Sequence, residues 1–280
     1  MKRGKCFLVH GFPCLLLLVV SGCLPHVSSL SFNYNFSAPT GFASTDLRYM
    51  NDSAPVLDRI ELTNQSRRWS TGRVAHNQLL RIWDHRTSKV ASFTSNFTFA
   101  IKPASSNPRR GDGMAFFVGP YMPYYMPMDA PAGHLGLFNN RDNPGNNYFP
   151  PTVGVEFDTF RNVDWDPAET NCHIGVNVNS IRSTNYTAVP EGIFNGIMSA
   201  EVRYDAKAAT LSATLRLLDP PGQGTYTVSA NVDLQGAGLP EMVEVGLSAS
   251  IGDYIEQHHI LSWSFQTIMI GYTKMINMWI

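Results

Sequence analysis

Hydrophobic and polar residues alternate over several stretches of the chain, which is the pattern of strands with one buried face. Between residues 91 and 101, Ala, Phe and Ile side chains alternate with Ser, Thr and Asn. This pattern predicts a strand that turns Asn96 toward solvent. Similar patterns predict a hairpin over 202–217 that turns at 205–207, and further strands at 243–249 and 260–265.

The segments between these strands are loops, and no amphipathic helix is predicted after residue 29. Gly, Pro, Asn and Asp are concentrated at 105–113, 120–133, 139–151 and 220–224. Many short strands without helices indicate an all-β fold of two packed antiparallel sheets, a sandwich or jelly roll. No repeat or linker indicates a second domain.

The first 29 residues differ from the rest of the chain. Lys2, Arg3 and Lys5 precede an apolar run at 12–20, and small residues occupy 27–29. This order predicts a signal peptide cleaved after Ser29 and hence a secreted, extracellular (apoplastic) protein. A membrane helix is the alternative, but the uninterrupted apolar run is shorter than the roughly 20 residues that a bilayer requires. The domain is then predicted at 30–265, followed by a short apolar tail at 266–280.

The charge of the chain bears on nucleic-acid binding, and its cysteine content bears on disulfide bonds. The whole chain has a net charge of −1, and the segment 1–29 contains bases but no acid, so the remainder is more acidic. No basic footprint for nucleic acid is present. Of four cysteines, Cys172 alone lies outside that segment, which excludes an intrachain disulfide. We expect Cys172 to be an inert surface thiol; a redox-sensitive group or an intermolecular pairing site is the alternative.

Acceptor sequences for N-linked glycans recur along the chain, as expected of a secreted glycoprotein. Five Asn-x-Ser/Thr triplets are present, at Asn35, Asn51, Asn64, Asn96 and Asn185.

The most informative strand carries two carboxylates. In the alternation after residue 153, the apolar side chains Val153, Val155 and Phe157 share one face. Glu156, Asp158 and Phe160 share the other. Neighbouring carboxylates repel each other unless a cation lies between or beside them.

The loop after this strand supplies further ligands. Oxygen donors suit calcium, whereas carboxylates mixed with a histidine nitrogen suit manganese or another first-row metal. We predict two adjacent ions that share Asp158 and Asp166. The transition-metal side would add Glu156 and His173, and the calcium side Asn162 and the Phe160 carbonyl. Ordinary solvated turn residues are the alternative; the spacing excludes an EF-hand.

This segment resembles the metal-binding segment of legume-type (L-type) lectins. The similarity rests on EFDTFRNVDWDP at 156–167 and HIGVNVNSI at 173–181. It extends to SFNYNF at 31–36, SFTSNFTF at 92–99, GDGMAFFVGP at 111–120, GHLGLF at 133–138 and LSWSF at 261–265. The overall appearance is closest to the lectin ectodomains of plant L-type lectin receptor-like kinases.

The resemblance implies a legume-lectin sandwich that binds a mono- or oligosaccharide or a cell-wall or glycoprotein glycan, and that forms homo-oligomers in some cases. It implies a sugar pocket beside the calcium, in which the residue before Asp112 is joined to it by a cis peptide. By motif, the sugar contacts are Asp112, the Gly133 amide, Asn162 and the Phe160 ring. Asp253 and Tyr254 lie where the family sets sugar preference.

Three other functions remain open at this point. Sandwich glycoside hydrolases also place carboxylates on one strand face, but Arg161 stands where their pattern Glu-x-Asp-x-x-Glu needs its second Glu. The chain is therefore predicted not to be an enzyme. A lectin receptor kinase would need kinase motifs that are not in the sequence, although a truncated receptor ectodomain is compatible with it. A degenerate lectin used as an interaction or storage module is the third alternative.

Overall fold

The computed structural model of the chain describes residues 29–37, 44–103, 109–122, 131–138, 150–221 and 224–269. These residues form strands joined by turns, with short 3₁₀ helices at Ser44–Asp46, Ala132–His134 and Glu191–Asn195. The strands are β1 Ser31–Asn35, β2 Leu47–Asn51, β3 Ala54–Val56, β4 Arg59–Glu61, β5 Thr71–His76, β6 Leu80–Arg81, β7 Trp83–Asp84, β8 Lys89–Val90, β9 Ser92–Pro103, β10 Gly113–Gly119, β11 Val153–Asp158, β12 His173–Val178, β13 Asn185–Ala188, β14 Ile197–Asp205, β15 Thr210–Asp219, β16 Thr225–Asn231, β17 Met242–Ser250 and β18 Glu256–Ile268.

The strands form two large antiparallel sheets. The back sheet has the order β16-β15-β14-β9-β18-β4-β3, with β1 also paired to β18. The front sheet has the order β13-β12-β11-β10-β17-β5-β2, with β6 also paired to β17. A small β7-β8 ribbon lies apart from both. The predicted all-β antiparallel sandwich is confirmed.

Aromatic side chains from both sheets fill the space between them. The Phe157 ring of the front sheet lies 5.7 Å from Phe97 and 5.3 Å from Phe99 of the back sheet, centroid to centroid. Phe116 and Trp263 are also fully buried in this core. Burial of each large side chain contributes about 1.5–3 kcal/mol, so the sandwich is held by apolar packing.

A second apolar cluster covers the outer face of the front sheet. Leu135, Leu137 and Phe138 pack there against Ala115 and Phe117 of β10. The central front strands are consequently buried on both faces, as the burial pattern of β10 indicates. The segment 131–138 that forms this cover also carries one of the predicted sugar contacts.

The predicted strands are present with small differences in length. β9 turns Asn96 to solvent as predicted, and β14 and β15 form the predicted hairpin. β18 begins at Glu256, earlier than predicted, because Glu256 and His258 occupy inward positions that alternation of apolar residues does not reveal. It ends at Ile268, past the predicted domain boundary at 265, since Thr267 still pairs with Phe93.

The predictions about the two chain ends concern residues that the structure does not describe. The signal peptide at 1–29 lies outside the described residues except for Ser29, and so does the tail beyond residue 269. Across the described ranges, no helix has the length and apolar character needed to cross a membrane.

Candidate metal and sugar site

Two neighbouring front strands bring together a buried group of metal-ligating side chains. Asp158 at the end of β11 pairs with His173 at the start of β12. Glu156, two residues earlier, points to the same side, and ligand atoms of the three residues all lie within 4.8 Å of one another. All three are at most 1 % exposed. These three residues are among the four predicted for the transition-metal side, and the fourth, Asp166, lies outside this group.

The carboxylates in this group have unused acceptor atoms. His173 Nε2 lies 3.1 Å from Glu156 Oε1, and His173 Nδ1 lies 4.0 Å from Asp158 Oδ1. Glu156 Oε2 and Asp158 Oδ2 are buried without a hydrogen-bond partner among the described residues. A buried carboxylate oxygen without a partner is costly, and a divalent cation would satisfy both of these atoms.

Ser183 is a member of this group that the sequence reasoning missed. Its hydroxyl donates to Glu156 Oε1 from the turn between β12 and β13. Gly175 leaves the space for this contact, because a Cβ there would lie 2.5 Å from Glu156 Oε1. No spacing rule links Ser183 to Glu156; the turn after β12 brings them together.

Oxygen atoms of the loop after β11 converge beside this group. One amide atom of Asn162 lies 3.2 Å from Asp166 Oδ2 and 3.2 Å from the Phe160 carbonyl oxygen. If that atom is Nδ2, it donates to both oxygens. If it is Oδ1, three oxygens face one another, which is a donor set suited to calcium. The residues therefore fit the predicted calcium side, with the amide rotated to suit the ion.

Mutual repulsion and burial perturb the acids of this site. The pKa of Asp158 is raised well above its usual value by burial and by the charges of Asp166 and Glu156. The pKa of Asp166 is raised to about 6, chiefly by burial. Burial lowers the pKa of His173, but the hydrogen bond and charge of Glu156 outweigh this and the pKa is raised. Without a cation, the site therefore favours its protonated form.

We expect the metal-stripped protein to lose stability as the pH rises from about 4 to about 7. The folded-state pKa values of Asp158 and Asp166 lie above the unfolded value, and that of His173 is also raised. The folded state therefore binds more protons in this window, and their contribution is lost as the pH passes through the folded pKa values. Thermal unfolding of metal-stripped protein across this range measures the effect.

Asp158→Asn is the control for this pH dependence. It removes an acid whose pKa is raised in the folded state, so the decline of stability with pH should become shallower. Burial lowers the pKa of His259 to about 4, so this residue makes stability rise with pH. It is present in both proteins and does not affect the comparison. A decline equally steep in the variant would show that these carboxylates are not its source.

Asp112 lies just before β10, next to the loop after β11. Its amide donates to Ser250 O at 3.2 Å, and its carbonyl accepts from the Thr159 amide at 3.0 Å. The Gly111–Asp112 peptide is cis, as the resemblance implied. Asp112 is 4 % exposed and its Oδ2 has no partner among the described residues. Burial, followed by the charge of Glu256, raises its pKa to about 7.

Gly133 packs directly against the Asn162 amide. A Cβ on Gly133 would lie 2.3 Å from Asn162 Oδ1, so a side chain there would displace the amide. The segment that carries Gly133 is held to β17 by Ser250 Oγ, which donates to Ala132 O at 2.9 Å. The neighbouring His134 ring lies 5.0 Å from the Trp165 ring of the loop after β11. The structure thus brings two predicted sugar contacts together.

Two aromatic rings stand beside these residues. The Phe160 and Tyr254 rings are 5.6 Å apart, and both side chains are partly exposed. β11 ends at Asp158, so the prediction that Phe160 continues the alternation of the strand is wrong. Its ring instead packs against Gly111, where a Cβ would lie 3.4 Å from Phe160 Cβ. Asp253 is exposed next to Tyr254.

Glu256 holds the backbone around Asp112, a role that the sequence did not reveal. This fully buried carboxylate accepts from Thr159 Oγ1 at 2.7 Å and lies 3.6 Å from Arg110 Nη1. Thr159 in turn binds the Asp112 carbonyl through its amide. Glu256 thereby fixes the chain on both sides of the Gly111–Asp112 peptide.

Glu256→Gln is expected to weaken glycan binding about tenfold, the scale seen when supporting residues of a site are altered. The amide loses the charge that attracts Arg110 while it keeps the shape of the side chain. Titration calorimetry with the bound sugar measures the affinity. Glu244→Gln is the matched control, because Glu244 is an equally buried glutamate that pairs with Arg48 at the other end of β17. An equal loss of affinity in both variants would contradict a positioning role.

The expectation of a surface thiol at Cys172 is wrong. Cys172 is 1 % exposed, and its Sγ lies 3.7 Å from Thr159 O, to which it donates. The residue before His173 is drawn into the core as β12 begins. Burial, together with the charges of Asp158 and Glu191, raises the pKa of this thiol to about 12. The reactive thiolate is therefore strongly disfavoured.

The chain is similar in sequence to known proteins over most of its length. A model of the legume lectin domain matches residues 29–276. The seed lectin of Vatairea macrocarpa is 43 % identical over 204 residues, covering 71 % of this chain and 78 % of that lectin. Agglutinin-2 of Cladrastis kentukea is 39 % identical over 212 residues, covering 75 % and 70 % respectively.

A solved structure shares the fold. The crystal structure of basic winged bean lectin with Tn-antigen is 33 % identical and superimposes with a TM-score of 0.74, over 87 % of this chain and all (100 %) of that chain. These relatives are carbohydrate-binding proteins without enzymatic activity, and the second hydrolase carboxylate is replaced by Arg161. The chain belongs to the legume lectin family and is a carbohydrate-binding lectin.

Proposed function

We propose that this lectin binds a glycan through Asp112, the Gly133 amide, Asn162 and the Phe160 ring, beside a calcium ion and a manganese or other first-row metal ion. The observation that carries the proposal is the buried acid group next to the loop oxygens. Unpartnered oxygens of Glu156 and Asp158 lie there in a site built around His173.

The ions would be shared between strand and loop. Glu156, Asp158, Asp166 and His173 are the ligands of the transition metal. Calcium takes Asp158 and Asp166 together with Asn162 and the Phe160 carbonyl. The bound cations would neutralise acids whose mutual repulsion raises their pKa values. They would also fix the loop that carries Asn162 and Phe160.

Each sugar contact has a physical basis. The Asp112 carboxylate has an unpartnered oxygen and accepts hydrogen bonds from two sugar hydroxyls. Gly133 lacks a Cβ, so its amide can approach the sugar next to Asn162. Asn162 binds calcium through its oxygen and donates to the sugar through its NH₂ group. Phe160 packs against the apolar side of the ring, and Asp253 and Tyr254 set the preference among sugars.

The cellular setting belongs to the same proposal. We infer a secreted glycoprotein, supported by the exposed side chains of all five acceptor asparagines, Asn35, Asn51, Asn64, Asn96 and Asn185. Its partner is a mono- or oligosaccharide or the glycan of a cell wall or glycoprotein. Homo-oligomerisation would make this binding multivalent.

A glycan array in calcium and manganese tests the proposed function. The array includes the Tn antigen, because the basic winged bean lectin was solved with it. The expected result is binding to a set of glycans that share one terminal sugar, competed by that free monosaccharide. Binding to no glycan, or binding that no monosaccharide competes, would contradict a functional sugar pocket at Asp112.

A further inference from the structure

A second cleft adjoins the proposed sugar pocket at its aromatic pair, Phe160 and Tyr254. The cleft has a volume of about 450 Å³, within the range of roughly 300–1,000 Å³ that is usual for ligand sites. The described residues that line it include Phe160 and Tyr254, which it shares with the sugar pocket. Its remaining charged lining residues are Arg109, Arg110, Arg161 and Glu191.

The three arginines of this cleft differ in how their charges are balanced. Arg110 is largely buried and faces the fully buried Glu256, so its charge is compensated inside the protein. Arg161 donates Nε to Pro167 O at 3.1 Å. Its charge acts to lower the pKa values of Asp166 and Glu169, but its two amino groups have no hydrogen-bond partner among the described residues. They are the planar donors that pair with carboxylate or sulfate groups.

Arg109 adds a second positive charge at an aromatic wall. It donates Nη1 to the Tyr254 hydroxyl at 2.8 Å and lies over the Tyr254 ring, 5.5 Å from its centroid. This contact holds the guanidinium at the boundary between the two pockets. Glu191, the exposed acid of the lining, accepts from Asn171 Nδ2 at 2.9 Å. The cleft surface therefore combines cationic donors with an aromatic edge, whereas the sugar pocket contains Asp112.

We propose that this cleft is a subsite for an anionic saccharide unit, one that carries a uronic-acid carboxylate or a sulfate ester and is linked to the sugar held at Asp112. Arg161 and Arg109 bind the anion, and Tyr254 packs against the ring of that unit. The inference rests on the proposed function, because the linked neutral sugar supplies the anchor. A glycan that reaches across the Phe160–Tyr254 pair would occupy both pockets at once.

The test compares acidic glycans with uncharged counterparts of the same structure. An array carries neutral glycans, the same glycans extended by a uronic acid, the methyl esters of those uronates, and sulfated analogues. The unmodified protein is expected to bind the acidic forms about tenfold more tightly than the esters, the scale of a charge-assisted hydrogen bond. The advantage should shrink at high salt. The uronate and sulfate arms identify which anion is preferred.

Charge variants localise the effect. The Arg109→Gln/Arg161→Gln protein is expected to bind acid and ester equally, and Glu191→Gln should increase the preference for acid. Arg203→Gln/Arg216→Gln removes the same charge from exposed positions on the back sheet and should keep the preference. Equal binding of acid and ester by the unmodified protein overturns the subsite, and so does a preference that the cleft variants retain. Failure to bind any neutral glycan would instead count against the proposed function.

Discussion

Asp112→Asn is expected to reduce glycan affinity on the order of 100-fold or more, with little change in the fold. In the proposed site the carboxylate accepts from two sugar hydroxyls, and an amide would replace one of these acceptors with a donor. Burial of the site makes the mismatch more costly, because Asp112 is 4 % exposed and water cannot replace the lost bond. Titration calorimetry with the sugar identified on the array measures the loss.

Asp233→Asn is the matched control for this variant. Asp233 is an exposed aspartate outside the site, and its Oδ1 accepts from the Gln235 amide, a bond that asparagine can keep. Its affinity should equal that of the unmodified protein. If Asp112→Asn binds the sugar as tightly as this control, Asp112 is not a sugar ligand.

Removal of the metal ions should lower the melting temperature by roughly 10 °C when the starting metal concentration is near 1,000 times the dissociation constant. Cations stabilise the folded state because they bind it in preference to the unfolded chain. Their loss also leaves Glu156, Asp158 and Asp166 to repel one another. Differential scanning fluorimetry before and after exhaustive chelation measures the change, and calcium and manganese are then restored separately.

Asp158→Asn separates cation binding from a general loss of stability. With metal present, the variant should be less stable than the unmodified protein, because it lacks a shared ligand. After chelation the order should reverse, since the variant has one repelling carboxylate fewer in a buried group. A variant that is less stable under both conditions would contradict a cation site at Asp158.

Alternation along the strands was sufficient to predict the sandwich and the two faces of β11. Val155 and Phe157 both lie in the core, as the sequence predicts. Glu156, Asp158 and His173, which we propose as metal ligands, could also be found from the sequence, because they lie on adjacent strands or at their ends. Local periodicity carries this information, since each strand displays its two faces in turn.

Contacts between distant segments could not be predicted in this way. Glu256 supports Asp112 from a strand 144 positions later in the chain. A glutamate interrupts the apolar alternation, so the pattern does not predict that Glu256 is buried. Ser183 reaches Glu156 only because of the turn after β12. Cys172 is buried because it joins the core where β12 begins. The polar residue Asn171 before it gives no sign of this in the sequence.

We propose that bound metal ions hold the sugar pocket in its binding form. The most direct test of this proposal is a measurement of glycan binding on one sample during chelation and then during restoration of calcium and manganese. We predict that binding disappears on chelation and returns with both ions, while the strand content seen by circular dichroism is retained. Glycan binding that remains undiminished after exhaustive chelation would contradict the proposal.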